Sequence, residues 1–332
     1  MKSNEYAALT VKEVLERLSK PVPTLILFHI HPDADAVGSA FALALWLAEQ
    51  GSPAYCLCAD EMPGRLSFLV KGLQESVLAS TVPAGFDNAR VITVDTASPA
   101  QLGALYELYG DRVSLMIDHH ERGTSYADHL IAPCAAAGEI VYDLIAASGT
   151  DMPRRCSELL YAAIVSDTGG FRYSNTTPET HLRAAALLSS GIDAADLCHR
   201  LLEMKSREVM TAEHAGFERI RLSFGGKVAT ITFPHDLAVS LGLSDEHLCT
   251  LIDLARQIEG VEVAAVIRQT GSAPVFRLSA RANVDLDVAA VCAAFGGGGH
   301  RRAAGGTMEG FATIEQAEAA FLDALTSVIV KG

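Results

Sequence analysis

The 332-residue sequence is short of cations and has no paired-cysteine motif. It carries 26 Lys and Arg against 40 Asp and Glu, a formal charge of -14. Binding along a nucleic-acid polymer needs a basic face that displaces counterions, so that class is disfavoured. A small anionic substrate held by a few local cations remains compatible with this balance. The seven cysteines are an odd number with no CxxC, and no disulfide framework is expected. Each reads as a small buried apolar residue. The longest charge-free apolar run, Ala36 to Ala48, falls short of the ~20 residues that cross a bilayer. The first twenty residues carry Glu5, Glu13 and Glu16 and no apolar core, so no secretory signal and no membrane partner are expected. A cytoplasmic location is the expectation.

With 49% hydrophobic and 20% charged residues the chain has material for packed cores, and its length predicts about two domains. The first part alternates apolar strand-like runs with helical stretches. Val22-Ile30, Ala54-Cys58, Arg90-Val94 and Val113-Ile117 read as strands. Ala36-Gln50, Ala137-Ala147, Cys156-Val165 and Pro178-Ser189 read as helices. This α/β pattern predicts a parallel sheet covered on both faces. Ala194 to about Arg221 reads as a single charged linker helix. A smaller α/β block follows, with strands Val228-Phe233, Val261-Ile267 and Pro274-Ala280. Its helices are Asp245-Ile258, Asp287-Ala294 and Ile314-Val330. The expected division is residues 1–192 as one domain, 193–222 as the linker helix and 223–332 as a second, smaller domain.

The chemistry is concentrated where apolar segments end. His29, His31, Asp33 and Asp35 share one parity after Thr24-Phe28; Asp95 follows Val91-Val94; Asp118-His119-His120 follows Leu115-Ile117; Asp167 follows Leu159-Ser166. The carboxyl ends of parallel strands are where open α/β sheets bind ligands. Singly, an Asp after a strand reads as a helix cap and adjacent histidines as surface residues. Jointly, the carboxylates repel by roughly 4 kcal/mol per pair at ~4 Å and an effective dielectric of 20, so either their pKa values rise or cations bind. Four Asp with two neutral His match two divalent ions. Mixed carboxylate and imidazole donors suit Mn2+, with Mg2+, Fe or Zn as alternatives. Paired metals sharing a carboxylate are a device for phosphoester hydrolysis.

A second cluster is Gly296-Gly297-Gly298-Gly299-His300 followed by Arg301-Arg302. On its own it reads as a flexible turn. Two cations beside the glycines in an acidic chain shift the reading toward anion binding by backbone amides. It matches neither a P-loop nor a dinucleotide fingerprint. Alternation places Arg277, Ser279 and Arg281 on one strand face. Phe171 and Tyr173 are candidates for stacking a base, with core packing the equal alternative.

Together, the HIHPDADAVGS segment from His29, Val94-Asp95, Asp118-His119-His120, Ser166-Asp167-Thr168-Gly169 and Phe295–Gly305 resemble the DHH phosphoesterase superfamily with a DHHA1 domain. The resemblance runs through nearly the whole chain in order. It implies one metal on His29, Asp33 and Asp95 and a second on Asp35, Asp95, His119 and Asp167, with Asp95 shared. His31 falls at a variable position. His120 would face the substrate phosphate, and Asp118 would orient the imidazoles. Arg281, Ser279, Gly297, Gly298, Gly299, His300 and Arg301 would line the substrate side of an interdomain cleft, which admits short substrates and excludes a duplex. By size the chain is similar to the NrnA-like group. The implied substrates are short RNA oligonucleotides, linear or cyclic dinucleotides and 3'-phosphoadenosine 5'-phosphate (pAp); the oligomeric state is open, with a homodimer one option because relatives of this kind are often dimers. A pyrophosphatase or polyphosphatase of the same superfamily, or a metal-dependent nucleotide sensor, is the alternative.

Overall fold

The computed structural model describes residues 6–74, 76–120 and 123–329, and for His300 and residues 327–329 the backbone alone. The chain forms two compact units, residues 1–204 and 205–332.

The first unit contains strands β1 Thr24–Leu27, β2 Ala54–Leu57, β3 Arg90–Val94, β4 Val113–Asp118 and β5 His129–Ile131. All pair in parallel, in the order β2-β1-β3-β4-β5. Its helices are α1 Val11–Leu18, α2 Ala34–Glu49, α3 Ser67–Val70, α4 Ala104–Tyr109, α5 Ala137–Ser148, α6 Arg154–Asp167, α7 Pro178–Leu188 and α8 Ala194–Cys198. Alternate strand residues feed opposite faces. Ile26, Cys56, Ile92 and Ile117 pack under α2, α5 and α6, whereas Leu25, Leu27, Leu57, Val91 and Met116 pack against Leu102, Leu105 and Tyr126. The strand order reverses between β1 and β3, which opens a crevice at their carboxyl ends.

Close helix packing builds that crevice. A Cβ on Gly38 of α2 would stand 2.4 Å from the Leu159 carbonyl oxygen of α6. One on Gly138 of α5 would stand 2.7 Å from the Ala163 Cβ of α6. Glycine at these places lets α2 and α5 seat on α6.

The expected linker helix is not one helix. A π-turn over His199–Glu203 continues α8, Met204 is extended (φ -67, ψ 129), and α9, Arg207–Phe217, starts afresh. The Ser206 side chain accepts from the Val209 amide, so a strong N-cap restarts the helix where the apolar pattern runs on. Residues 220–223 then become a strand.

The second unit holds a mixed sheet in the order β10-β11-β9-β8-β7-β6. Its strands are β6 Ile220–Ser223, β7 Val228–Phe233, β8 Val263–Gln269, β9 Phe276–Ala282, β10 Gly298–His300 and β11 Ala303–Met308. Its helices after α9 are α10 His235–Ser240, α11 Leu251–Arg256, α12 Val288–Ala293 and α13 Ile314–Ile329. The expected helix Asp245–Ile258 is instead a 3-10 turn, Asp245–Leu248, followed by α11. Among the described residues no helix is long and apolar enough to cross a membrane.

Candidate metal centre

Seven side chains converge at the carboxyl end of the first sheet, in three overlapping groups, one of them Asp95, His119 and His120. His29, Asp33 and Asp95 form the second and Asp35, His119 and Asp167 the third; in each, ligating atoms lie within 4.8 Å of one another. Asp95 connects them. Its Oδ2 is 3.3 Å from His29 Nε2 and its Oδ1 is 3.4 Å from His119 Nε2. His119 Nε2 is also 3.7 Å from Asp35 Oδ2 and 3.6 Å from Asp167 Oδ2, and His29 Nε2 is 3.8 Å from Asp33 Oδ1.

Most of these separations are longer than a regular hydrogen bond. They resemble the edges of a coordination polyhedron, since donors ~2.1 Å from one ion stand ~3.0–3.4 Å apart. The imidazoles are prepared for that role. His29 Nδ1 lies 2.8 Å from the Ile30 carbonyl oxygen and His119 Nδ1 lies 3.2 Å from that of Cys134. A carbonyl only accepts, so Nδ1 carries the proton in both rings and Nε2 is turned to the carboxylates. Asp95 Oδ1 is buried with no hydrogen-bond partner. A buried carboxylate oxygen left unpartnered is costly, and a cation between it and the His119 lone pair removes the cost. The donor set therefore fits divalent metal.

Electrostatics give the same answer. With no cation, protons take its place. Burial opposes charging His29, but Asp33 and Asp95 outweigh it and raise the ring to about 11. Burial likewise opposes charging His119, and Asp95 and Asp35 raise it to about 10. Burial and then Asp95 push Asp35 up to about 7. Burial and the carboxylates of Asp35, Asp33 and Asp95 raise Asp167 well above its ordinary value. Burial would raise Asp95 too, but His119 and His29 hold it below the usual carboxylate range.

Local structure decides how each carboxylate is held. Asp33 is the N-cap of α2, with Oδ1 accepting from the Asp35 and Ala36 amides at 3.0 Å each. The residue that caps α2 is thus also the carboxylate that faces His29. Asp35 is fully buried and accepts from Ser39 Oγ, from the Ala137 amide (2.6 Å) and from the Gly138 amide (2.9 Å). It thereby caps α5 and lies in the favourable field of that helix's N-terminus. Asp167 is the last residue of α6, not a strand end, where the helix dipole opposes its charge. Asp95 adopts a left-handed φ of 56, which aspartate tolerates better than most residues.

Strand parity does not bring the first cluster together. β1 stops at Leu27, and His31 at φ 54 breaks the alternation. His31 is exposed and pairs with Asp60 at 3.0 Å. Asp118 is buried; its Oδ1 accepts from His120 Nδ1 (2.8 Å) and from the backbone amide of His119 (2.9 Å). It therefore orients one imidazole, while the Cys134 carbonyl orients the other. Phe171 stacks on His181 at 5.0 Å and packs against the core, whereas Tyr173 is exposed.

In the second unit, Gly298, Gly299 and His300 are not an open loop. They form the edge strand β10 on β11. A Cβ on Gly297 would stand 2.1 Å from the Gly305 carbonyl oxygen, and one on Gly299 2.6 Å from that of Ala303, so these glycines allow close strand approach. The register aligns Ser279, Gly305 and Gly298 in one row and Arg281, Ala303 and His300 in the next. Ser279 and Arg281 are half-buried while their strand neighbours Leu278, Ala280 and Ala282 are buried. Arg301 pairs with Asp285 at 2.8 Å. The His300 side chain lies outside the described part.

Residues 23–164 match the DHH family N-terminal domain and residues 225–331 the DHHA1 domain. The chain is 29% identical over 324 residues to the bifunctional oligoribonuclease and PAP phosphatase NrnA of Thermus thermophilus, covering 97% of this chain and 94% of that protein. It is 27% identical to the Bacillus subtilis protein of the same name, over 90% of this chain and 93% of that one. The fold matches the crystal structure of an exopolyphosphatase-related protein from Bacteroides fragilis, with a TM-score of 0.87 at 21% identity, covering 96% and 95% of the two chains. Both domains, in order and together along most of the chain, identify it as a two-domain DHH/DHHA1 family protein, similar along nearly its whole length to proteins named NrnA.

Proposed function

We propose that this hydrolase cleaves short oligoribonucleotides and dinucleotides to mononucleotides and removes the 3'-phosphate of pAp. One observation carries the reading. A chain similar over nine-tenths of its length to proteins named oligoribonuclease and PAP phosphatase gathers carboxylates and imidazoles that could hold metal around Asp95, which supports the reading. His29, Asp33 and Asp95 would hold one divalent ion and Asp35, Asp95, His119 and Asp167 a second, Mn2+ in our reading. Bound there, such ions supply a water of lowered pKa and positive charge for the phosphoryl oxygens.

The remaining roles belong to the chain's own groups. Ile30 and Cys134 hold His29 and His119 in the tautomer that offers Nε2. The Asp118 hydrogen bond, ahead of an opposing effect of burial, raises His120 and favours its cationic form. A cationic His120 beside the centre would bind a phosphoryl oxygen and stabilise its growing charge. Arg281 and Ser279, with the backbone of Gly297, Gly298, Gly299 and His300, are assigned to substrate, as is Arg301 once it leaves Asp285.

AMP release from 5'-phosphorylated diadenylate tests this, with Mn2+ and with EDTA. Rapid release with Mn2+ and none with EDTA is expected, as is phosphate release from pAp. Arg281→Ala should raise KM on the dinucleotide and leave metal uptake unchanged. No release from either substrate by protein carrying bound metal would refute the substrate reading.

A further inference from the structure

Asp35, His119 and Asp167 come from three different elements, yet one short loop serves all of them. The Cys134 carbonyl accepts from His119 Nδ1, and the Ala137 and Gly138 amides donate to Asp35. Asn175 makes the third connection. Its Nδ2 donates to the Ala135 carbonyl at 3.2 Å and to the Asp167 carbonyl at 3.0 Å.

Asn175 ends a strained strap that begins at Asp167. Gly169, Gly170 and Phe171 have successive φ values of 56, 71 and 62. A non-glycine residue in that region persists only where its surroundings over-determine it. The Arg172 and Tyr173 amides donate to the Thr168 carbonyl, and the Phe171 ring is held on His181. The Asn175 amide then closes the strap onto the 134–138 loop. Neither His29 nor Asp33 receives a bond from this loop or from Asn175 among the described residues.

We infer that Asn175 is a positioning residue for one half of the centre: its carboxamide clasps the Asp167 main chain to the loop that orients His119 and Asp35. The inference rests on the reading that Asp35, His119 and Asp167 hold a metal ion. It predicts unequal damage. Loss of the amide should loosen that ion and spare the one held by His29, Asp33 and Asp95. Asn175 is exposed, so fold stability should depend little on it.

The experiment is Mn2+ titration of the metal-stripped full chain, followed by electron paramagnetic resonance. It is run on wild type, Asn175→Ala, Asn175→Asp and Asn175→Gln, with thermal unfolding measured in EDTA. Wild type should take two ions with the spectrum of a coupled pair. Asn175→Ala and Asn175→Asp should keep the metal-free Tm and bind one ion as before. The other should weaken by ~10–100-fold, the usual cost of losing an outer hydrogen-bond partner, leaving the spectrum of an isolated ion. Asn175→Gln retains the donors and should recover part of the loss. Unchanged binding of both ions overturns the inference, and so does equal weakening of both with a lowered metal-free Tm. Wild type that takes two ions and cleaves no diadenylate would refute the substrate reading while leaving this one standing. Wild type that takes fewer than two removes the ligand assignment and the inference with it.

Discussion

Gly38→Ala separates local propensity from tertiary packing, because the two predict opposite signs. Gly38 is buried within α2. In an isolated helix, replacing an interior glycine by alanine stabilises by roughly 0.5–1 kcal/mol. Here the new Cβ would lie 2.4 Å from the Leu159 carbonyl oxygen and 3.2 Å from the Ala163 Cβ. Carbon and carbonyl oxygen approach to about 3.3 Å at closest, so α2 and α6 must part by about 1 Å. Leu159 contributes helix backbone, which cannot swing aside. Overpacking of this kind typically costs 1–3 kcal/mol, and a site between two helix backbones belongs at the upper end. The net expectation is a loss of about 2 kcal/mol, or about 4–8 °C in Tm for a unit of this size. Asp35 lies within one turn of Gly38 and Asp167 ends α6, so Mn2+ affinity should fall as well. Unfolding is measured in EDTA, which keeps bound metal from masking the loss. Gly64→Ala, where a Cβ meets nothing within 4 Å, serves as the neutral control. A Gly38→Ala protein as stable as wild type, or more so, would refute the packing argument.

Asp95→Asn should fold with unchanged circular dichroism, bind both Mn2+ ions poorly, and lose more activity than the ~10–100-fold typical of an outer-shell change; normal turnover would remove Asp95 from the centre. Metal uptake should release protons, because His29 and His119 sit at about 11 and about 10 without metal while ligation needs neutral imidazole. At pH 8 roughly two protons should leave per pair of ions, and affinity should climb with pH until those values are passed. Calorimetric titration in two buffers of different ionisation enthalpy measures this, and an observed heat independent of buffer would contradict it.

Much of the site is legible in residue order. Short apolar strands followed by Asp or His reveal the crevice, because a parallel sheet places the ends of β1, β3 and β4 side by side. The residue types carry their own chemistry, since four aspartates and two imidazoles in one place must bind either protons or metal cations in any fold. The less legible elements depend on neighbours. Ala303–Met308 is rich in alanine and glycine and has Thr307 alone of the branched and aromatic residues that mark a strand; it is one because it pairs with β9. The chain from Ala194 to Arg221 keeps an apolar rhythm that reads as one helix, yet the Ser206 cap divides it.

Residue types and their order along the chain thus determined the parallel sheet, the gathering of aspartates and histidines at its carboxyl end and the two-domain family, because periodicity and local chemistry are properties of short segments. Tertiary structure alone decided which oxygen of Asp95 faces which imidazole and that Asp35 caps a helix a hundred residues away. It also decided that Asn175 closes on Asp167 and that Gly297 and Gly299 serve strand contact. Those facts rest on distances between atoms that the backbone path brings together, across a hundred residues for Asp35 and across a few in the strap and the β10–β11 pair, and neither is read from residue type alone.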